Sequence, residues 1–337
     1  MTAQVDRKCF RKLARRLKVG AIPAPGRVGF HWPSRRWLVV CWLLLIFLSL
    51  SPIVSATGQD RPPLSDQLAG GEFEYVVQSG DSLTRVGARF GVGIAALAAH
   101  NNLAPDSLLK IGQRLRIDNR HIVADFVNDG IVINIPQRML FYFKEGRLMR
   151  FYPVALGRPD WPTPTGQFTI VVKEENPTWE VPQSIQEEMR SDGKVVETCV
   201  PPGPDNPLGE YWLGLSIGGY GIHGTIAPAS IYHFQTHGCI RLHPDDIAQL
   251  FGEVANGAPG LLLYRRLMVA RVGEKIYLEI HRDAYKKDGD IRERFEEVVK
   301  AYALEPMVDR ELANDIIRRQ DGIAQEITRR NGAANSR

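Results

Sequence analysis

Apolar and polar residues alternate with different periods along the chain, and the changes of period mark its segments. Trp37 to Leu50 is a 14-residue, almost wholly apolar run. Residues 57 to 72, with Gln-Asp-Arg-Pro-Pro at 59 to 63 and Gly70-Gly71, have the composition of a linker. Tyr75 to Leu83 reads as a short strand and turn, with Asp81 or Ser82 placed to cap a helix over Leu83 to Phe90. Ile94 to His100 predicts a second helix and Gly112 to Ile117 a closing strand. From Ile131 the pattern turns to β: Ile131 to Ile135, Met139 to Phe143, Leu148 to Leu156 and Gln167 to Lys173 are separated by Gly- and Pro-containing turns. Asp245 to Phe251, opened by Pro244 and with two acids in its first turn, is the helical exception. Lys275 to Ile280 reads as a last strand. Asp290 begins an amphipathic helix with Ile291, Phe295, Val298, Val299 and Tyr302 on its apolar side, and Glu311 to Arg330 a second with Leu312, Ile316, Ile323 and Ile327.

These patterns predict a mainly β, sandwich- or barrel-like domain at 125–266. A small α+β unit of strand, helix, helix, strand precedes it at 73–119, and a strand and helical extension follows at 267–337, with the final residues disordered. Charge changes the picture only at the N-terminus. Residues 1–56 hold ten Lys or Arg against one acid, while the rest of the chain holds 32 basic and 37 acidic residues, so the overall charge of +4 is no footprint of nucleic-acid binding. A basic segment, an apolar run and Val54-Ser55-Ala56 in that order are the layout of an export signal. Either it is cleaved after Ala56, or residues 37–54 stay as an inner-membrane anchor, although the run is short for a span. Both outcomes place the remainder of the chain outside the cytoplasm, in the periplasm.

His223, His233, His237, Cys239 and His243 crowd into 21 positions of a chain with eight histidines. A thiol becomes an effective nucleophile only where a base or positive neighbour helps to form its thiolate, and a nearby imidazole is the usual base. Gly224 and Gly238, each following a histidine, permit the turns that bring such groups together. Two other readings stand beside this one. Cys239 is a buried inert thiol, or the cluster binds a metal, against which the paired ligand spacing of structural zinc sites is missing. Export adds an objection: Cys199 and Cys239 are the two cysteines beyond residue 56, and in an oxidising compartment two such residues often pair.

Residues 75–117 resemble the lysin motif (LysM) family, on Tyr75-Val-Val, Gly80-Asp81-Ser82-Leu83, Asn102-Leu103 and Leu109 with Gly112-Gln113-Arg114-Leu115. The resemblance implies binding of glycans that contain N-acetylglucosamine, such as peptidoglycan strands, with Gly80, Asp81, Ser82, Asn102 and Leu103 at the sugar.

Ile222-His223-Gly224-Thr225 and Thr236-His237-Gly238-Cys239-Ile240-Arg241-Leu242 resemble the signature of the L,D-transpeptidases, supported by Thr163-Pro-Thr-Gly-Gln-Phe168, Asn176-Pro-Thr-Trp179 and Asn206-Pro-Leu-Gly209. That resemblance implies transfer of a peptidoglycan stem peptide through Cys239, with release of a terminal D-alanine. The acceptor is an amine of a second stem peptide or of a small outer-membrane lipoprotein. It also implies His223 as base, the Gly224 carbonyl as its orienter, backbone N–H groups at Gly238 and Cys239 as oxyanion donors, and His237 as shaping the turn. Arg241 and Thr236 fall at the substrate, and no cofactor or metal is implied. The same motif fits a carboxypeptidase or a hydrolase that releases wall-bound protein. With Cys199 and Cys239 bridged, the chain would be a non-catalytic wall-binding protein.

Overall fold

The computed structural model describes residues 63–287 and 289–330. The export-signal, membrane-anchor and terminal-disorder expectations fall on residues 1–56 and 331–337 and lie outside the described residues. No helix among the described residues is long and apolar enough to cross a membrane.

Leu64–Ser65 (β1) and Leu68–Ala69 (β2) are short strands inside the stretch expected to be a linker. They are ordered by partners remote in sequence, since β1 pairs with residues 269–270 and β2 with residues 121–122. The small α+β unit then follows as its pattern predicts: β3 (Glu72–Val76), α1 (Leu83–Phe90), α2 (Ile94–His100) and β4 (Arg114–Asp118). Of the two candidate caps, Ser82 takes the role, its side chain accepting from the Arg85 N–H. β3 and β4 pair antiparallel, and Val77, Leu83, Val86, Leu97, Leu115 and Ile117 fill the unit's core.

After β5 (His121–Ile122), the central domain is an eight-stranded sheet. Its first strands are β6 (Gly130–Asn134), β7 (Met139–Lys144) and β8 (Arg147–Pro153), followed by the short β9 (Leu156–Gly157) and the long β10 (Gly166–Glu175). A small excursion contains β11 (Trp179–Glu180), α3 (Gln183–Ser191) and β12 (Cys199–Val200). The chain returns through β13 (Tyr211–Leu215), β14 (Gly221–His223), β15 (Phe234–Thr236), β16 (Ile240–Arg241), α4 (Pro244–Glu253) and β17 (Pro259–Leu263). The strand order is β16-β14-β13-β10-β17-β6-β7-β8. A bridge between Ala155 and Arg241 ties the chain just beyond β8 back to β16, so the sheet curls.

β6 and β7 are apolar without alternation because both their faces are covered. Ile131, Ile133, Leu140 and Tyr142 enter the main core with Leu213, Ile222, Ile240 and Ile247. Val132, Met139, Phe141 and Phe143 point the other way, into a second core shared with Ala88 of α1, Ile122, Met268, Ala270 and Tyr277.

The C-terminal extension is more than a helical tail. β18 (Leu267–Val272) and β19 (Lys275–Ile280) form a sheet with β1 and β20 (Gln325–Glu326), in the order β1-β18-β19-β20. α5 (Ile291–Ala301) and α6 (Arg310–Arg319) contribute to its core, with Phe295, Val298, Val299, Ile316 and Ile317 packed among Ile276, Leu278 and Ile280. The second amphipathic helix, expected to run to Arg330, stops at Gln320, which takes a left-handed conformation at φ 49°. The apolar residues beyond it are claimed by different cores: Ile323 packs into the α+β unit and Ile327 against β19's side of the extension.

One buried polar cluster lies where the three segments meet. Glu279 of β19 accepts from His121 Nδ1 (2.8 Å), the Ile122 N–H (2.5 Å), Gln137 Nε2 (3.0 Å) and His281 Nε2 (2.7 Å), and His121 Nε2 donates to the Gly91 carbonyl at the end of α1 (2.9 Å). His121, Glu279 and His281 bring three atoms of metal-ligand type within 4.8 Å of one another, but Glu279 already has a donor for each contact described. Nothing in the local sequence pattern marks this cluster, whose members lie up to 160 residues apart.

Candidate active site

β14 and β16 run parallel, with Ile222 opposite Ile240 and His223 opposite Arg241. Strand side chains alternate between faces, so Ile222 and Ile240 enter the core while His223 and Arg241 share the opposite face. Cys239 lies just ahead of β16, two residues before Arg241. Trp212 of β13 lies opposite His223 on its other flank, and the two rings stack with centroids 5.8 Å apart. Gly221 makes room for the indole, since a Cβ there would meet Trp212 Cη2 at 2.2 Å. Strand pairing thus gathers Trp212, His223 and Arg241 from three separate stretches of the sequence.

His223 is 4 % exposed and its Nδ1 donates to the Gly224 carbonyl at 2.7 Å. This bond fixes the tautomer and leaves the Nε2 lone pair as a proton acceptor. Burial, with the Arg241 charge second, pushes the imidazole down to about 3, so it is neutral at physiological pH. Cys239 carries a free thiol, which rules out a bridge to Cys199. Its Sγ–H donates to the Gly219 carbonyl at 3.8 Å. Burial pushes the thiol up, against smaller opposite effects of a backbone hydrogen bond at Gly221 and the Arg241 charge. At physiological pH the thiol and the imidazole are therefore both neutral.

The turn before Cys239 is held from inside. Thr236 Oγ1 donates to the Cys239 carbonyl (2.6 Å) and accepts from the Gly238 N–H (3.1 Å). Thr236 is buried, and its hydroxyl is spent on the turn rather than turned toward a substrate. The Gly238 N–H, expected to face an oxyanion, is likewise drawn into the turn, which leaves the Cys239 N–H as the backbone donor beside the thiol. Gly238 requires its residue type: φ is +103°, and a Cβ would meet the Tyr220 ring at 2.5 Å. His237 points away from the thiol; its Nε2 bonds Glu188 of α3 at 2.6 Å and its ring lies against Trp161. Glu188 also accepts from Arg158 (3.1 Å), and these two bonds, Arg158 first, hold its carboxyl below the usual range.

Arg241 donates to Ser230 Oγ at 2.9 Å, and its buried Nε has no partner among the described residues. No carboxylate among the described residues pairs with it. His233 and His243 take no part; His243 instead caps α4, accepting from the Asp245 N–H. Trp212, Glu188, Thr163, Ser230 and Tyr220 were not assigned to the site from sequence, because only the pairing of distant strands brings them there.

In the α+β unit, the candidate sugar-binding residues fall in two loops, one leading into α1 and one following α2. Asp81 accepts from Tyr75 OH (2.7 Å) and the Gln78 N–H (2.8 Å), and the Gly80 carbonyl accepts from Arg85 (2.7 Å), so both shape the first loop. Asn102 is exposed in a left-handed conformation at φ 55°, while Leu103 packs partly into the unit's core. Leu108 and Ile111, which the sequence reading passed over, are 95 % and 74 % exposed in the loop that follows. Apolar residues in an otherwise polar loop were the available signal.

Two stretches of the chain match known domain families. Residues 128–262 match the L,D-transpeptidase catalytic domain family, and residues 75–118 match the LysM domain. The chain is 29 % identical over 306 residues to the probable L,D-transpeptidase ErfK/SrfK of Escherichia coli K12, covering 87 % of this chain and 97 % of that protein. It is 30 % identical over 262 residues to the probable L,D-transpeptidase YcfS of the same organism, covering 76 % and 82 %. Among solved structures, the catalytic domain from the E. faecium L,D-transpeptidase aligns over 41 % of this chain and 98 % of its own at 24 % identity, with a TM-score of 0.30.

Proposed function

Since the chain belongs to the L,D-transpeptidase family and carries a LysM domain, we propose that it is a cysteine acyltransferase acting on peptidoglycan, with Cys239 as nucleophile and His223 as base. The observation that carries this reading is the shared face of β14 and β16. It supports the reading because His223, with its Nδ1 bonded to the Gly224 carbonyl, stands opposite Arg241, two residues after the free Cys239.

In the first step the Cys239 sulfur attacks the carbonyl of the third residue of a tetrapeptide stem while His223 Nε2 takes the thiol proton. The Cys239 N–H donates to the developing oxyanion, a contribution of about 3 kcal/mol for one such donor. Collapse of the tetrahedral species breaks the peptide bond, and the terminal D-alanine leaves as an amine carrying the proton held by His223. An acceptor amine then attacks the thioester and gives its proton to the same nitrogen, and the thiolate leaves and is reprotonated. The half-buried, carboxylate-free Arg241 suits a carboxylate of the stem. The amine belongs to a second stem peptide or to the lysine of a small lipoprotein; with water in its place the product is a shortened stem. The LysM domain holds the glycan strand, and the reaction runs outside the cytoplasm on a chain exported through its N-terminal segment.

Incubation of the protein with purified disaccharide-tetrapeptide, followed by mass spectrometry, tests the reading. Dimers or amine adducts with release of D-alanine are expected, and shortened monomers alone favour hydrolysis. Cys239→Ala is expected to abolish both products and the covalent adduct with a carbapenem. Persistence of that adduct would show that another residue is the nucleophile.

A further inference from the structure

We infer that Tyr285, in the C-terminal extension beyond the matched catalytic region, is a positioning residue for the backbone donor at Cys239; the inference rests on the acyl-transfer reading of that site. Tyr285 OH donates to the Gly157 carbonyl (2.7 Å) and accepts from the Thr163 N–H (3.1 Å). Thr163 Oγ1 accepts from the Gly157 N–H (2.9 Å) and donates to the Gly238 carbonyl (2.9 Å). The tyrosine hydroxyl therefore clasps the two segments that hold the carbonyl immediately preceding the nucleophile.

The Gly238 carbonyl and the Cys239 N–H belong to one peptide group. That group is planar and trans, so its C=O and N–H point in opposite directions and cannot be aimed independently. Fixing the carbonyl on Thr163 fixes where the Cys239 N–H points. The neighbouring contacts are tight enough to transmit a displacement: a Cβ on Gly157 would lie 3.0 Å from Gly238 Cα, and one on Gly238 would meet the Tyr220 ring.

Tyr285 is itself well anchored. Its N–H donates to Tyr264 OH (2.9 Å), which donates to Asp283 Oδ1 (2.6 Å), and its ring packs on those of Tyr264 and Phe234, each with centroids 5.5 Å away. Asp283 lies 3.7 Å from Arg266, and Arg266 Nε donates to the His281 carbonyl. The extension thus supplies a buttress to the catalytic turn from a part of the chain that touches no reacting atom.

Tyr285→Phe removes the hydroxyl and keeps the ring. The expected result is a carbapenem acylation rate constant, and a kcat for stem transfer, lower by roughly tenfold, with KM and the initial carbapenem dissociation constant within twofold of wild type. Thr163→Val is expected to do the same, the double variant to be no slower than Thr163→Val alone, and Thr163→Ser to retain most of the rate. Equal rates in Tyr285→Phe and wild type, a loss confined to KM, or effects that multiply in the double variant would overturn the inference. Amide hydrogen exchange provides a measurement independent of turnover: Tyr285→Phe is expected to accelerate exchange at Gly157, Thr163 and Gly238, whose N–H groups are bonded in the wild type, and unchanged protection there counts against it. A wild-type protein that never acylates sinks the acyl-transfer reading, while the exchange experiment still decides whether Tyr285 holds the turn.

Discussion

Replacing Glu279 by glutamine should loosen the junction between the LysM domain, the catalytic domain and the C-terminal extension, and it should do so in a pH-dependent way. The carboxylate is fully buried and accepts from His121, Ile122, Gln137 and His281. Burial alone would raise its pKa, but the His121 charge and the hydrogen bonds of His121 and His281 outweigh that and hold it at about 2. His121 has an oxygen facing each ring nitrogen, the Glu279 carboxylate and the Gly91 carbonyl, so its ring is held at both ends. An amide in place of the carboxylate removes the buried negative charge and turns an N–H₂ toward groups that are themselves donors. Loss of one partner of a buried pair costs about 3–5 kcal/mol, which for a folded unit of this size corresponds to a fall in Tm of roughly 10 °C. A carboxyl held at about 2 instead of 4.5 expresses the same interaction as about 3 kcal/mol. Because the folded-state pKa is depressed, this stability is fully present above about 4.5 and is lost as the pH falls toward 2. In the wild type His281, whose charged form burial disfavours, adds a loss on acidification below about 6.5. Thermal unfolding followed by circular dichroism at pH 7, 5, 4 and 3 gives the comparison. The gap between wild type and Glu279→Gln should be largest at pH 7 and close steadily below about 4.5. A gap under about 0.5 kcal/mol at pH 7, or one that does not change with pH, would refute the argument from the buried carboxylate.

Two further outcomes follow from the site. His223 is held at about 3 by burial and by the Arg241 charge, so kcat/KM on a stem substrate should show no acid limb near 6.5 and stay level from pH 7 to 5. An inflection near 6.5 in a protein still folded by circular dichroism would show that the base is a different group. Gly238→Ala forces a left-handed backbone and a contact of 2.5 Å with Tyr220, so it should cost about 1–3 kcal/mol of stability and remove most carbapenem acylation; wild-type values in a thermal melt and in intact-protein mass spectrometry would contradict this.

Local pattern was enough for much of the chain. α1 and α2 appear where an N-cap, a left-handed glycine at Gly91 and helical periodicity place them, and β6, β7 and β19 where β-rich runs end at turns. Each of these signals lies within about ten residues of the element it specifies. The second helix of the extension was overextended for a related reason: Ile323 and Ile327 keep the periodicity of the preceding turn but are buried in two different cores. Periodicity reports that a residue is buried, not against what. The stretch at 64–69 likewise reads as a linker by composition and becomes strand only because residues 269–270 and 121–122 present pairing edges.

By itself, the sequence determined the chemical inventory: one thiol, neighbouring imidazoles, a cation two residues beyond the thiol, and a small module with two loops poised for a glycan. The tertiary structure decided which members work together. Parallel pairing of β14 with β16 puts His223 across from Arg241, because side-chain direction in a strand is set by register with its neighbour, while His237 is held by Glu188. It also spends the Thr236 hydroxyl and the Gly238 N–H inside the turn, and brings in Tyr285, 46 residues after the thiol, to hold the peptide that precedes it. Those assignments depend on hydrogen bonds between segments far apart in the chain, and the energy of such bonds depends on position and angle, which composition and spacing do not encode.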